Sequence, residues 1–132
     1  METFKMSQKK AVLTTKAPAP VGPYSQAIVH GNTLYISGQI PVDPATGKVV
    51  QEIVNQTHQC CKNLLAVAAE MGATADDFVK NTIFLTDMGN FPTVNEIYGQ
   101  YFGGEIPPAR ACVEVRALPL YVSIEIEAIV AL

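Results

Sequence analysis

The chain has 132 residues, a length that fits one domain and leaves little room for a second. With 48% hydrophobic and 16% charged residues, it has ample apolar material for a core but few charges to cover a monomer's surface, which indicates an oligomer. The net charge of -3 argues against a nucleic-acid partner, because phosphate contacts need clustered Lys and Arg, and no apolar run approaches the roughly 20 residues of a membrane span.

The N-terminal segment and the cysteines indicate a cell compartment. Residues 1–10 lack the apolar middle of a signal peptide, so we treat them as a tail, disordered or foreign to the protein, ahead of a single domain at 11–132. The cysteines are three, Cys60, Cys61 and Cys112, and an odd number with two adjacent residues is poor material for a disulfide framework. We therefore expect a reducing compartment, by default the cytoplasm.

The first third of the chain predicts strands and loops. Prolines between Lys16 and Pro23 favour an extended, ordered loop. The turn signal Gly31-Asn32 separates two β-rich runs and so predicts a hairpin. The predicted elements are an extra strand at 11–14, strands at 25–30 and 33–37, and a loop at 41–48 with a turn at Thr46-Gly47.

Two segments have the periodicity of amphipathic helices, and a strand is predicted between them at 79–85. The first helix ends before Gly72, and the second begins near Asn90, its predicted N-cap, with Pro92 in the first turn and Gly103-Gly104 after the last. The predicted buried stripe of the first helix is Ile53, Thr57, Cys60, Cys61, Leu64, Leu65, Ala68 and Met71. That of the second is Phe91, Val94, Ile97 or Tyr98, and Tyr101.

The C-terminal third predicts two more strands, at 109–115 and 122–130, joined by a loop around Leu118-Pro119. The short connection suggests that these strands form an antiparallel pair. The element order is then ββ–α–β–α–ββ. Two helices of this length cover only one face of such a sheet, so the other face must meet solvent or a partner.

Arg110 is the leading candidate for a binding residue. Side chains alternate along a strand, so Arg110 and Cys112 share one face of strand 109–115. Folding at the following loop would place Arg110 roughly opposite Glu125 or Glu127, on the face that the helices leave uncovered. A guanidinium in a partly buried wall can bind a carboxylate through two parallel hydrogen bonds, and a nearby Glu can direct or activate a water.

A cross-strand Arg–Glu salt bridge on a hydrated face is the alternative interpretation, worth less than about 1 kcal/mol. The spacing alone leaves both interpretations open. Cys112 shares the face of Arg110, but neither His30 nor His58 has an evident reason to lie beside its thiol. We therefore favour a packing role for Cys112 over a role as nucleophile.

Motifs for metals and nucleotide cofactors are missing from the sequence. His58 and Cys61 have helical spacing, but no third ligand is visible for a zinc site. There is no Gly-rich phosphate loop followed by Lys-Ser/Thr, and no GxGxxG after a strand. We therefore expect neither a metal nor a cofactor.

Two segments near strand ends could face a ligand. Tyr24 follows Gly22-Pro23 at a strand entrance, where the loop could project its ring over a pocket, although most Tyr side chains pack at the edge of a core. Ser37-Gly38-Gln39 follows the hairpin's second strand. Gly38 either lets the backbone approach a ligand or marks a bend.

Five motifs resemble those of the Rid family, the reactive-intermediate deaminases of the RidA type. They occur in the family's order and spacing, from about Lys16 to the C-terminus, which is nearly the whole chain. The matching segments are GPYSQA at 22–27, SGQIP at 37–41, TVNEIY at 93–98, PARACVEV at 108–115 and IEIEA at 124–128.

The resemblance implies an α+β, chorismate-mutase-like fold with a mixed sheet, two helices on one face, and assembly as a homotrimer with clefts between subunits. It also implies hydrolysis of 2-iminobutanoate and 2-iminopropanoate to 2-oxo acids and ammonia, without a cofactor. These imines, or their enamine tautomers, arise from pyridoxal-phosphate enzymes that act on Thr or Ser. Their removal protects other such enzymes.

The resemblance also implies roles for residues of this chain. Arg110 matches the carboxylate-binding Arg, Glu125 the Glu that positions the attacking water, and Tyr24 a Tyr that lines the cleft from the neighbouring subunit. Other substrate-binding positions in the cleft match Ser37, Gly38, Asn95 and Cys112, the last mainly through its backbone. The chain departs from the family pattern at 103–107 and in the more apolar loop 117–121, which could alter trimer packing or side-chain preference.

Two classes of function compete. One is the imine deaminase, and the other is a Rid-fold sensor or regulatory protein that binds small carboxylates without turnover, since a fold does not determine function. The intact Tyr24, Arg110 and Glu125 favour the enzyme. A ribonuclease activity has been attached to some members of the family, but this acidic chain gives it no physical support.

Overall fold

The computed structural model describes residues 8–132, which form a six-stranded sheet and a separate two-stranded sheet. The strands are β1 (Lys10–Val12), β2 (Ala27–His30), β3 (Thr33–Gln39), β4 (Val42–Asp43), β5 (Lys48–Val49), β6 (Phe78–Leu85), β7 (Ala109–Glu114) and β8 (Ile124–Ala131). The large sheet has the order β1-β2-β3-β8-β6-β7, and β4 pairs with β5. Within the large sheet only β6 and β7 are parallel, so the sheet is mixed.

Two helices, α1 (Ile53–Glu70) and α2 (Phe91–Phe102), pack against each other on one face of the large sheet. Gly72 follows α1 with a φ of 74°, a left-handed conformation that suits glycine, and the backbone N–H of Ala73 donates to the carbonyl of Ala68 at 3.1 Å. Pro92 lies in the first turn of α2, where a missing backbone N–H costs no helical hydrogen bond.

The core lies between the helices and the sheet. Along β8 the buried residues alternate with more accessible ones, so that Ile124, Ile126 and Val130 point into the core while Glu125 and Glu127 point to the opposite face. Leu34 of β3 and Leu64 of α1 are fully buried on the same side. The face of the sheet away from the helices carries accessible apolar residues, among them Tyr35, which is 46% exposed, and Val113, which is 42% exposed.

Most of the predicted elements are confirmed. The hairpin of β2 and β3 turns at Gly31, and both helices end within a residue or two of their predicted limits. Phe102 rather than Tyr101 is the buried aromatic residue in the last turn of α2, and Met71 is exposed instead of buried. The predicted loop at 41–48 contains a short hairpin, β4 and β5, which turns at Gly47.

The proposed boundary at residue 11 is close to the first strand, because β1 begins at Lys10. The greater part of the predicted tail, residues 1–7, lies outside the described residues.

The prediction that the last two strands pair with each other is wrong. β8 lies between β3 and β6, whereas β7 pairs with the other edge of β6 in parallel, so β6 separates β7 from β8. Residues 115–123 join the two strands, and nine extended residues can span about 30 Å, far more than the roughly 10 Å between alternate strands of a sheet. A connection of this length does not require a hairpin.

Candidate functional site

A hollow of about 330 Å³ lies beside Glu125 on the face of the sheet opposite the helices. Its lining includes four residues that the sequence singled out: Tyr24, Ser37, Gly38 and Glu125. The remainder of the lining is apolar, from Val21, Ile40 and Pro119. We call this space the Glu125 hollow. One chain therefore brings together four of the predicted site residues.

The missing side chain of Gly38 makes room for the Glu125 carboxylate. A Cβ atom built on Gly38 would lie 2.7 Å from Cδ and 2.8 Å from Oε2 of Glu125. Real Cβ atoms do not approach carbon or oxygen so closely, so any larger residue at 38 would push the carboxylate aside. The structure thus gives Gly38 a role that neither alternative named, close packing against a candidate catalytic group, and the β3–β8 register also shifts between Ile36 and Gln39.

Glu125 is partly buried, and burial raises the pKa of its carboxyl group above the usual value. The negative charge of Glu127, two residues along the same face of β8, raises this pKa further. A carboxyl group with a raised pKa exchanges protons more readily near neutral pH, as a general acid or base must.

Backbone contacts hold the remaining groups of the Glu125 hollow. The Ser37 hydroxyl donates to the carbonyl of Ser25 at 2.6 Å, and the Tyr24 hydroxyl accepts from the backbone N–H of Val21 at 3.2 Å. The Tyr24 side chain remains 47% exposed, so its ring stands at the rim instead of packing into the core. Gln26 stabilises the loop before β2, because its side-chain amide donates to the carbonyl of Pro18 at 2.8 Å.

Arg110 lies at the edge strand β7 and contacts helix α2. Its Nη1 donates to Oδ1 of Asn95 at 2.7 Å. The guanidinium carbon lies 5.0 Å from the centre of the Tyr98 ring and 5.5 Å from that of the Phe91 ring, within the range of a cation–π contact. We call these three residues of α2, Phe91, Asn95 and Tyr98, the Arg110 seat.

A hydrogen bond from Asn81 fixes the position of Tyr98: Nδ2 of Asn81 donates to the Tyr98 hydroxyl at 2.9 Å. Asn81 is fully buried and pairs with Arg110 across β6 and β7. From the sequence, Phe91 and Tyr98 were predicted only as residues of the buried stripe of the second helix. With Asn95 they occur at helical spacing i, i+4 and i+7, but that signal becomes informative only when the position of β7 beside α2 is known.

The thiols have no sign of activation. Burial raises the pKa of Cys112, an effect that the charge of Arg110 only partly opposes. Burial also raises the pKa of Cys61 to about 12 and that of Cys60 well above its usual value. Thiols in this state are protonated at neutral pH, which supports the packing role given to Cys112.

The predicted juxtaposition of Arg110 and Glu125 within one chain is wrong. In the sheet register Arg110 lies beside the buried Asn81, on the helix side, whereas Glu125 lies beside Phe84 on the opposite side. Strand β6 also separates the two. The error follows from the assumed β7–β8 hairpin. Each chain therefore carries two separate candidate half-sites, the Glu125 hollow and Arg110 with its seat.

Residues 8–132 contain neither a candidate metal centre nor a membrane-spanning helix. Within this range no three His, Cys, Asp or Glu side chains form a group that could hold a metal ion. Neither helix in it is long and apolar enough to cross a membrane.

Comparison with known proteins gives consistent matches over nearly the whole chain. Residues 14–132 match a family model described as endoribonuclease L-PSP. A mouse protein named 2-iminobutanoate/2-iminopropanoate deaminase is 48% identical over 122 residues, which are 92% of this chain and 90% of the mouse protein. A RutC family protein of Pyrococcus abyssi is 49% identical over 122 residues, 92% of this chain and 95% of its own length.

Solved structures give the same result. A conserved Rid family protein of Yersinia pestis superposes with a TM-score of 0.92 at 48% identity, covering 95% of this chain and 100% of that one. TdcF of E. coli, solved with bound serine, superposes with a TM-score of 0.89 at 38% identity, covering 93% and 98%. Because the family model and these full-length relatives agree with the mixed sheet and its two helices, the chain belongs to the Rid family.

Proposed function

We propose that the protein hydrolyses short 2-imino acids, including 2-iminobutanoate and 2-iminopropanoate, to 2-oxo acids and ammonia. The activity clears reactive products of pyridoxal-phosphate enzymes that act on Thr or Ser. The name of the mouse relative supports this substrate class.

The environment of Arg110 is the observation that carries the proposal. Its contacts in the described chain, with the amide oxygen of Asn95 and with two aromatic rings, are all with neutral groups. Such a guanidinium keeps its full charge available for a ligand, and its planar edge matches a carboxylate. All 2-imino acids present that carboxylate next to the carbon that is hydrolysed.

We also propose a homotrimer, in which Arg110 of one subunit faces the Glu125 hollow of the next. Three features support it: the half-sites lie on opposite faces of one chain, β7 is an edge strand with mostly exposed residues, and the face away from the helices carries exposed apolar side chains. Exposed sheet edges and apolar faces are commonly covered by a partner.

The chemistry requires orientation and proton transfer more than a strong nucleophile, because an imine is already electrophilic. Arg110 binds the substrate carboxylate and places the imine carbon over Glu125. The Glu125 carboxylate accepts a proton from a water, whose oxygen adds to the imine carbon to form a carbinolamine. Glu125 returns this proton to the nitrogen, then accepts the hydroxyl proton of the carbinolamine and passes it to the amine. The C–N bond breaks as the hydroxyl becomes the carbonyl, and ammonia leaves.

A coupled assay tests the proposal. An amino-acid oxidase or a dehydratase generates the imine, and imine loss is followed with and without the protein. We expect acceleration by the wild type and the spontaneous rate with Arg110→Ala, which should remain folded because Arg110 is exposed in the isolated chain. If the wild-type protein gives only the spontaneous rate of imine loss, the proposed deaminase activity is rejected.

One observation favours a second candidate, a sensor that binds small carboxylates without turnover. The related TdcF of E. coli was solved with bound serine, a ligand that carries a carboxylate. A sensor would bind 2-oxo acids through Arg110 but leave imine hydrolysis at its spontaneous rate. The family description as an endoribonuclease gains no support from a chain of net charge -3.

A further inference from the structure

A second hollow adjoins the Glu125 hollow, and none of the reaction steps described above uses it. It has a volume of about 340 Å³, and its lining shares Val21, Tyr24, Gly38 and Ile40 with the Glu125 hollow. It extends between the loop at 18–21 and the hairpin of β4 and β5. We call it the apolar hollow.

The lining of the apolar hollow contains no charged side chain. Its polar side chains are largely committed to partners inside the protein. The Gln26 amide donates to the carbonyls of Thr14 and Pro18 and accepts from the Thr14 N–H, and the Gln39 amide donates to the carbonyl of Ser37. A polar group entering the hollow would lose water without gaining many hydrogen bonds, whereas an apolar group would bind favourably.

Leu120 lines the apolar hollow and has an unfavourable backbone conformation. Its φ of 55° and ψ of 18° are left-handed, and Tyr121 follows with a φ of 56°. Residues with a Cβ rarely adopt this conformation, and where they do the strain often accompanies function. Both side chains are exposed, but only Leu120 lines the apolar hollow, and neither hollow includes Tyr121.

The size of the apolar hollow exceeds the needs of a short side chain. The methyl or ethyl group of 2-iminopropanoate or 2-iminobutanoate would occupy a small part of it. For comparison, an apolar protein cavity of about 150 Å³ accepts a benzene molecule. An isobutyl or benzyl group would therefore fit.

We propose that the apolar hollow binds the side chain of the substrate, so that 2-imino acids with branched aliphatic or aromatic side chains are preferred to 2-iminopropanoate. This inference rests on the proposed function, because a substrate carboxylate at Arg110 and an imine carbon at Glu125 leave the side chain to enter the adjoining space. Leu120 is then a specificity-determining residue.

Binding of 2-oxo acids, the reaction products, tests the subsite without turnover. Titration calorimetry compares pyruvate with 4-methyl-2-oxopentanoate and phenylpyruvate. We expect the larger acids to bind at least about tenfold more tightly, since an added apolar group in a fitting pocket is worth that much. Leu120→Asn should remove most of this preference, and Asn tolerates the left-handed backbone. The matched control is Tyr121→Asn, which has the same backbone region and should keep the wild-type preference.

The outcomes separate the subsite from the proposed activity. Equal affinity for pyruvate and the larger acids, or a preference that Leu120→Asn leaves intact, would overturn the subsite even if imine hydrolysis is fast. A preference that depends on Leu120, in a protein that does not accelerate imine hydrolysis, would support the subsite and reject the deaminase. If no 2-oxo acid binds, the subsite is rejected directly.

Discussion

Replacement of Arg110 with Lys keeps the positive charge but removes the planar fork, so it isolates what the Arg110 seat contributes. Lys can donate to the substrate carboxylate but cannot form two parallel hydrogen bonds or stack between Phe91 and Tyr98. The residue is exposed in the single chain, and the substitution should leave the fold intact. We expect the loss to fall on substrate binding and orientation.

The contacts that Lys cannot make set the size of the expected decrease in kcat/KM. One charge-assisted hydrogen bond contributes about 1.5–3 kcal/mol, and the contacts of an exposed cation with aromatic rings add about 0.5–1 kcal/mol. Together these give about 2–4 kcal/mol, or a decrease in kcat/KM of roughly 30- to 700-fold.

The coupled imine assay measures this decrease, with Arg116→Lys as the matched control. Arg116 is exposed and follows β7, but it lines neither half-site, so its substitution should leave kcat/KM unchanged. An Arg110→Lys variant that keeps near wild-type kcat/KM would refute the carboxylate clamp. An equal loss in both variants would show that the effect is not specific to Arg110.

Three further predictions concern the Glu125 hollow and the thiol beside Arg110. Glu125→Gln should abolish turnover in the coupled imine assay, because an amide cannot accept the proton of the attacking water. A Glu125→Gln variant that keeps most of the wild-type kcat would contradict the role of Glu125 as the base. Gly38→Ala should fold normally but lower kcat about 100-fold, because its methyl group displaces the Glu125 carboxylate. An unchanged kcat would contradict this prediction. Cys112→Ser should retain most activity in the same assay, whereas complete loss would indicate a nucleophilic thiol.

Local features of the fold could be predicted because their signals are local. The turn at Gly31 and the apolar periodicity of α1 and α2 each depend on a few neighbouring residues. The position of β7 could not be predicted in this way. Its alternation of side chains was correct, but which strand it pairs with depends on contacts between distant parts of the chain, and the nine residues at 115–123 permit more than one partner.

The wrong pairing of β7 with β8 also led to a wrong prediction of the site. Assigning Arg110 to the open face gave a single pocket with Glu125, whereas the structure gives two half-sites on opposite faces. The environment of Arg110 was missed for the same reason, since Phe91 and Tyr98 reach it only because α2 packs beside β7. The close fit of Gly38 against Glu125 likewise depends on β3 lying next to β8.

Complementation between inactive variants tests whether a working site combines Arg110 of one chain with Glu125 of another. Arg110→Ala and Glu125→Gln chains, carrying different affinity tags, are denatured together, refolded, and purified through both tags. If the site lies between subunits, each mixed trimer has one cleft that pairs an intact Arg110 with an intact Glu125, and this should restore about a third of wild-type activity. Mixed assemblies that form but remain as inactive as either parent would rule out a site shared between subunits.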